Sequence, residues 1–116
     1  MSAKVLKQSE ANILNECLIG LSSAGCLAWR NNIGCLPDRN GRPVRYGVGG
    51  NGGSDIIGIA PDAVFFGIEV KTALGQPTDA QLNFIQAVQR QGGRAGIARS
   101  AAEAVEIACK PQPRGI

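Results

Sequence analysis

Two short apolar segments joined by a turn constrain the fold of this chain more than any other feature. They cover residues 52–60 and 64–71, and Pro61-Asp62-Ala63 lies between them. Segments of this length, separated by turn-forming residues, predict an antiparallel β-hairpin. Because side chains alternate between the two faces of a strand, Glu69 and Lys71 fall on the same face of the second strand. An acid and an amine two positions apart in an apolar strand indicate a functional site.

The rest of the chain predicts helices and strands that would pack around this hairpin. Ser9, Thr78 and Ser100 each precede an apolar pattern of helical spacing, as helix N-caps do. Helices are expected from Ser9 to the break at residues 22–25, from Thr78 to Gly92-Gly93 and from Ser100 to about Ala108, and further strands at 26–30 and 94–99. The predicted fold class is α/β, with an αβββαβ core in which helices flank a small mixed sheet.

Two details of this prediction concern the segment before the hairpin. Trp29, the sole tryptophan, is expected to anchor the first strand to the core. Residues 31–53 are expected to form a long loop, because they are rich in glycine, asparagine, proline and arginine. The length of 116 residues predicts one domain, with residues 1–8 and 110–116 as flexible tails.

The composition is typical of a soluble protein. Hydrophobic residues make up 44% of the chain, yet no apolar run approaches the ~20 residues that would span a bilayer. The N-terminus lacks the apolar core of a signal peptide, so we expect no membrane association and a cytoplasmic location. The net charge of +3 permits a polyanionic partner, and the small number of aromatic residues argues against a base-stacking platform.

The absence of histidine limits the available chemistry. It excludes Ser-His-Asp and Cys-His nucleophilic machinery and zinc sites built on histidine. The four cysteines contain no CxxC pair, so we expect ordinary reduced thiols without a metal role. Hydrolytic chemistry would therefore rest on carboxylates, lysine and an oxygen-preferring ion such as Mg²⁺ or Mn²⁺.

The predicted hairpin brings two carboxylates together. Asp55 begins its first strand and can approach Glu69, because paired residues on neighbouring strands lie within about 5 Å. A divalent ion held by Asp55, Glu69 and the backbone carbonyl of Val70 would remove their repulsion. Lys71 would hold or deprotonate the attacking water, or stabilise the charge that develops on phosphorus.

Glu10 is a further candidate for this site. At about 100° per residue it falls within the apolar stripe of the first helix, whereas Glu16 lies off the stripe and is expected at the solvated surface. Two interpretations of Glu10 remain open. It either stabilises the helix N-terminus electrostatically or reaches the cleft as a metal ligand, directly or through water.

The predicted loop carries a cluster of arginines and a glycine run. Four of the eight arginines lie here, as either phosphate contacts or a solvated basic surface: Arg30, Arg39, Arg42 and Arg45. Residues 47–52 match GxGxxG, but a strand follows where a dinucleotide site needs a helix, so we expect no nucleotide cofactor. The glycines are expected to let the backbone turn tightly and approach a ligand.

These motifs together resemble the PD-(D/E)xK nuclease superfamily, with its restriction-endonuclease-like fold, and within it the VRR-NUC family. The resemblance rests on Gly53-Ser54-Asp55-Ile56-Ile57-Gly58, on Ile68-Glu69-Val70-Lys71 and on Gln81 within residues 78–85. Ser9-Glu10 and Ala28-Trp29-Arg30-Asn31-Asn32 are also similar to that family. The resemblance extends from about residue 9 to residue 104, although the Val-Arg-Arg motif that names the family is absent.

The resemblance implies a role for each matching residue. Asp55 and Glu69 would bind Mg²⁺ or Mn²⁺, Lys71 would assist catalysis, and Glu10 and Gln81 would support them. Residue 54 is serine where the superfamily name has proline. Ser54 is expected beside the arginines on the DNA-binding surface.

The resemblance also implies a substrate and an assembly. Stand-alone members of this size look like homodimers that cut four-way DNA junctions in bacterial or phage-infected cells. A resolvase makes two symmetric nicks, so a chain with one site needs a two-fold partner; Val64, Phe66 and the last helix are candidate contacts. The alternatives are a general, flap or nicking nuclease, a non-catalytic nucleic-acid-binding module, and a small-molecule or nucleotide-binding enzyme that uses the glycine run.

Overall fold

The computed structural model describes residues 8–111 and folds them around a four-stranded mixed sheet. In chain order the elements are α1 (Glu10–Ser23), β1 (Leu27–Arg30), β2 (Gly34–Pro37), β3 (Pro43–Tyr46), β4 (Ile56–Ile59), β5 (Phe65–Val70), α2 (Asp79–Arg90), β6 (Arg94–Ala98) and α3 (Ala101–Cys109). The sheet order is β1-β4-β5-β6, with β1, β4 and β5 antiparallel neighbours and β6 parallel to β5. The predicted α/β fold with an αβββαβ core is confirmed. The prediction of flexible tails concerns residues that lie mostly outside the described range.

The three helices begin where their N-caps predict. The hydroxyl of Ser9 accepts a hydrogen bond from the backbone N–H of Asn12, and that of Ser100 accepts one from Glu103. Thr78 forms a capping box with Gln81 at the start of α2. These side chains satisfy N–H groups that the first helical turn leaves without a partner. Within residues 8–111, no helix is both long enough and apolar enough to cross a membrane.

One face of the sheet forms the hydrophobic core with α1 and α3. Phe66, Ile68 and Val70 of β5 are completely buried there, as the alternation along the strand predicts. The helices contribute the remaining side chains of this cluster, among them Ile13, Leu14, Cys17, Leu21, Ala104 and Ala108. Because this face of β5 packs into the core, the side chain of Glu69 is directed to the opposite face of the strand. Because Phe66 is buried, its predicted role in an exposed contact between two copies is wrong.

The segment between β1 and β4 differs from the prediction of a long loop. β2 and β3 form a separate antiparallel hairpin in which Leu36 pairs with Val44. Its turn is organised by Asp38, whose carboxylate accepts hydrogen bonds from the backbone N–H groups of Asn40 and Arg42, both at 2.8 Å. An aspartate in this position mimics a backbone turn, and that local bonding explains why a defined hairpin forms where a long loop was predicted.

Trp29 also departs from the prediction, because half of its surface (50%) is exposed. It lies on the outer face of the sheet, opposite the core, where α2 packs over β5 and β6. The β1–β4 half of this face stays open, and its exposed side chains include Leu27, Trp29 and Ile59, with the partly exposed Phe65 of β5 next to Ile59. An open apolar face of this kind is typical of an interaction surface.

Candidate active site

The hairpin β4–β5 brings Asp55 and Glu69 together at one edge of a cleft. The register pairs Ile56 with Ile68, so the preceding Asp55 faces Glu69 across the two strands. Asp55 is held in this orientation by the backbone N–H of Val70, which donates to its Oδ2 at 2.8 Å. The cleft has a volume of about 340 Å³, and its lining includes Arg30, Asn51 and Gln81 as well as both acids. The predicted meeting of the two carboxylates is therefore observed.

The carboxylate of Glu69 is the centre of this arrangement. It is 2% exposed, and its Oε1 accepts a hydrogen bond from Gln81 Nε2 at 2.8 Å. The same oxygen lies 3.8 Å from the ammonium nitrogen of Lys71. Its other oxygen, Oε2, is buried and has no hydrogen-bond partner in the described part of the chain. Oε1 of Glu69 thus has a hydrogen-bond donor and a nearby positive charge, whereas Oε2 has no hydrogen-bond partner among the described residues.

Burial and then the negative charge of Asp55 raise the pKa of Glu69 from 4.5 to about 8, against the opposing effect of Lys71. Two carboxyl groups this close cannot both ionise easily in a desolvated cleft. The pair therefore takes up either a proton or a cation. A free-energy cost of this kind is typical of functional sites.

Gln81 connects the site to the first turn of α2. Its side-chain oxygen accepts the backbone N–H of Thr78 at 2.9 Å, while its nitrogen donates to Glu69. The capping box therefore fixes which end of the amide points at the carboxylate. The inward orientation expected for Gln81 is observed, and the cap explains it.

Lys71 is positioned by the turn that follows β5. Its backbone N–H donates to the carbonyl of Ala98, which extends the pairing with β6. The guanidinium of Arg99 then closes the turn by donating to the carbonyls of Thr72 and Gly75, the second at 2.7 Å. Sequence reasoning missed Arg99, because nothing in the chain indicated that its side chain would reach back by 24 residues.

Asn31 is a second residue that sequence reasoning did not single out. Its side chain donates to the carbonyls of Val48 and Ser54 at 2.8 and 2.9 Å and accepts from the N–H of Val48 at 3.0 Å. Its own backbone N–H donates to the carbonyl of Asp55 at 2.7 Å. Asn31 therefore ties the end of β1 to both the glycine run and the acidic strand. The one available signal was a pair of asparagines directly after a predicted strand.

Glu10 does not form a cluster with the two acids, so ligation through water and stabilisation of the helix N-terminus both stay predictions for it. It lies exposed at the start of α1, and its negative charge is the smallest of the named contributions to the pKa of Glu69. Within residues 8–111, no three acidic or cysteine side chains come together as a metal cluster. The structure therefore places Glu10 near the site but does not bring its side chain into contact with Asp55 or Glu69. Glu16 is exposed, as expected.

The predicted DNA contacts separate into three groups. Arg30 lines the cleft itself, whereas Arg39, Arg42 and Arg45 are exposed on the β2–β3 hairpin. Ser54 is 1% exposed and its hydroxyl is buried without a hydrogen-bond partner among the described residues. The prediction that Ser54 lies on the DNA-binding surface is wrong, because its side chain turns inward toward Gly67.

The glycine run packs closely against α2. Gly49 has a φ of +93°, and a Cβ there would come within 2.5 Å of the Phe84 ring. A Cβ on Gly52 would come within 2.1 Å of the carbonyl oxygen of Ala80. The glycines therefore permit close backbone packing and a left-handed turn, and Asn51 of the run and the adjacent Gly53 line the cleft.

A solved structure described as a VRR_NUC domain superimposes on this chain with a TM-score of 0.57 and 19% sequence identity, covering 84% of this chain and 90% of that one. This chain has the fold of a VRR_NUC domain. No protein-family model and no curated protein matches the sequence. The fold likeness agrees with the resemblance that the motifs predict.

A divalent cation fits the donor set of this VRR_NUC fold. Glu69 Oε2 is a buried carboxyl oxygen without a hydrogen-bond partner among the described residues, and the carboxyl group of Asp55 lies beside it. Oxygen donors of this type suit Mg²⁺ and Mn²⁺, whereas the thiols and imidazoles that select zinc are absent from the cleft lining. The cation would be held by Asp55 and Glu69; the carbonyl of Val70 stays a predicted third ligand.

Proposed function

We propose that this chain is a Mg²⁺- or Mn²⁺-dependent DNA endonuclease that works as a homodimer on four-way junctions. The observation that carries the proposal is the buried Oε2 of Glu69 beside Asp55, which has no hydrogen-bond partner within residues 8–111, together with the Lys71 ammonium 3.8 Å from the other oxygen. The likeness in fold to a VRR_NUC domain supports a nuclease. The acids alone would destabilise the cleft, so a catalytic role for a bound cation explains why they are there.

The residues of the cleft divide the work of phosphodiester hydrolysis. A divalent cation bound there would act as a Lewis acid on the scissile phosphate and lower the pKa of water. Gln81 and the N–H of Val70 hold the two carboxylates in place. Lys71 lies 3.8 Å from Glu69 and would orient the attacking water or stabilise charge on the phosphate oxygens. Arg30, at the cleft, would bind the DNA backbone.

The homodimer is proposed from the need for two cuts and from the open outer face of the sheet. Two symmetric nicks at a junction require two sites related by a two-fold axis. Leu27 and Ile59 are paired across β1 and β4 and remain 61% and 40% exposed. This face, with Trp29 and Phe65, replaces the strand face that includes buried Phe66 as the candidate contact between copies.

Cleavage of a matched set of labelled DNAs tests the proposal. Linear, flap, splayed and four-way substrates are incubated with Mg²⁺ or Mn²⁺, and the products are mapped on each strand. We expect paired nicks at symmetric positions on opposing strands of the four-way form, and none with the Asp55→Asn variant. Random degradation of linear DNA would favour a general nuclease. No cleavage of any form by folded protein would favour a non-catalytic binding module.

A further inference from the structure

The hairpin of residues 34–46, which we call the arm, stands apart from the rest of the fold. Among the described residues β2 and β3 form a sheet with each other alone. Every residue of the two strands is exposed except Gly34, which is half-buried. A two-stranded hairpin is only marginally stable without packing, so an arm exposed on both faces indicates a binding element.

The arm is nonetheless well ordered by local contacts. Asp38 closes the turn through its carboxylate, and its backbone N–H donates to the carbonyl of Arg42 at 2.8 Å. At the base, the Tyr46 ring covers Gly34, where a Cβ would come within 2.2 Å of its hydroxyl oxygen. The arm can therefore meet a ligand in a defined shape, with little ordering entropy lost.

The charge of the arm is positive and uncompensated. It contains Arg39, Arg42 and Arg45 and a single acid, Asp38, whose carboxylate is engaged by two backbone N–H groups. None of the three arginines forms an ion pair within residues 8–111. An excess of two positive charges on one hairpin complements a polyanion. It opposes pairing with the same arm of a second copy.

One face of the arm is apolar. Leu36 and Val44 are paired across the ladder and Tyr46 shares their face, with 61%, 51% and 45% of their surfaces exposed. Phosphates do not contact side chains of this type favourably, whereas the flat face of a base pair does. Proteins that kink or open DNA insert leucine, isoleucine, phenylalanine or proline at such places.

The base of the arm is part of the cleft wall. Asn32 and Ile33 line the cleft, and β2 begins at the next residue. At about 3.4 Å per strand residue, Leu36 lies roughly 10 Å from the base of the arm and the turn roughly 20 Å from it. DNA held in the cleft would therefore lie next to the base of the arm.

We propose that the arm recognises the branch point of DNA by placing its apolar face, Leu36 with Val44, against the base pair that the branch leaves unstacked. The inference rests on the proposed function and names the feature of the substrate that the protein selects. In a continuous duplex every base-pair face is covered by its neighbour, so the apolar face finds no partner there. At a branch one face is open, and Arg39 and Arg42 bind the flanking phosphates.

Binding without metal tests the arm separately from cleavage. Wild type and a Leu36→Ser/Val44→Ser double variant are titrated, in EDTA, into a four-way junction and a linear duplex of equal length. A 2-aminopurine beside the branch reports unstacking. We expect the variant to lose about tenfold in affinity for the junction, to lose the fluorescence change, and to keep its affinity for the duplex. Equal affinity of wild type for both DNAs, or an unchanged preference in the variant, overturns the proposal.

Two further variants complete the experiment. Ile19→Ser/Leu74→Ser removes exposed apolar side chains elsewhere, 69% and 76% exposed, and should leave the junction preference intact. Arg39→Ala/Arg42→Ala should weaken binding to both DNAs and lower the salt dependence by about two counterions. A change from dimer to monomer in the Leu36→Ser/Val44→Ser variant, measured by sedimentation, would instead assign the arm to contact between copies and overturn the proposal.

Failure of this inference differs from failure of the proposed function. If wild type cuts junctions but the arm variant keeps its junction preference, only the role of the arm is wrong. If wild type cuts no DNA yet prefers junctions through the arm, the nuclease proposal fails and the binding surface stands.

Discussion

Among single residues, Glu69 defines the site, because its two carboxyl oxygens lie in different environments. Oε1 is bound by Gln81 and faces Lys71, whereas Oε2 is buried without a partner among the described residues. Lys71 is 14% exposed, so its charge acts in a partly desolvated setting. Interactions between charges are stronger there than at an open surface.

Lys71→Met should reduce the rate of junction cleavage by about 10²- to 10⁴-fold, a typical loss for a positioned proton-transfer group. Methionine keeps the aliphatic stem, so folding should be unaffected. Single-turnover cleavage measures the rate, with Lys110→Met, an exposed lysine at the end of α3, as the control. Wild-type turnover in the Lys71 variant would remove lysine from the mechanism.

Asn31→Ala should lower the free energy of unfolding by about 2 kcal/mol, because it removes three side-chain hydrogen bonds that join β1 to the glycine run and to the strand of Asp55. Urea unfolding measures the change. Asn32→Ala is the matched control, since the neighbouring Asn32 side chain is exposed and does not join these segments. Equal stability of the two variants would show that the Asn31 contacts are not important for the fold.

Among the structural elements, the turn that follows β5 holds Lys71 in position, because Lys71 lies just beyond the end of the strand. The turn at residues 72–75 is held by Arg99, which follows β6, through the carbonyls of Thr72 and Gly75. β5 and β6 are already joined as parallel neighbours. Arg99 is therefore a positioning residue that extends their pairing beyond the end of β5.

Arg99→Met should speed amide hydrogen exchange in residues 72–75 and reduce the cleavage rate about tenfold, with little effect on DNA affinity. The turn would lose two charge-assisted hydrogen bonds that restrict it. Hydrogen exchange followed by mass spectrometry reads the first effect. Arg90→Met, at the exposed end of α2, is the control and should exchange like wild type in this turn.

The sequence was sufficient to predict elements whose signals are local. The N-caps and the alternation along β5 predicted the helices, the hairpin and the meeting of Asp55 with Glu69. The arm was missed because its turn depends on how Asp38 bonds to backbone two and four residues ahead. Trp29 and Ser54 were misplaced because which sheet face is covered, and which loop side chain turns inward, depend on packing between distant elements.

At the scale of the whole molecule, the site and the core oppose each other across β5. The inner face buries Phe66, Ile68 and Val70, and the outer face carries Glu69 into the cleft. The ionised form of Glu69 is disfavoured there, so the folded state carries a cost that depends on pH. The pKa of Asp62, in the turn between β4 and β5, shifts in the opposite direction, because the hydrogen bond to Arg94 lowers it.

In the presence of a chelator, stability should fall as pH rises from 5 to 8. The pKa of Glu69 is about 8 in the folded chain and 4.5 ordinarily, so the folded state binds the extra proton and loses its advantage as that proton leaves. Asp62 affects stability only at lower pH, and buried Cys17 and Cys26, with pKa values raised to about 11, only at higher pH. Thermal unfolding measures the slope, which Glu69→Gln should flatten. A rise in stability over this range would contradict the placement of Glu69.

Calorimetric titration of Mn²⁺ into the folded protein at pH 8 measures whether Asp55 and Glu69 bind a divalent cation. We expect saturable heat in wild type, and none in Asp55→Asn or Glu69→Gln variants that remain folded. We also expect wild-type heat wherever the cleft is unchanged. Leu36→Ser/Val44→Ser, whose changes lie on the arm, should therefore give normal heat. A folded wild-type protein that binds no Mn²⁺, or variants that bind it as wild type does, would contradict a metal site at Asp55 and Glu69.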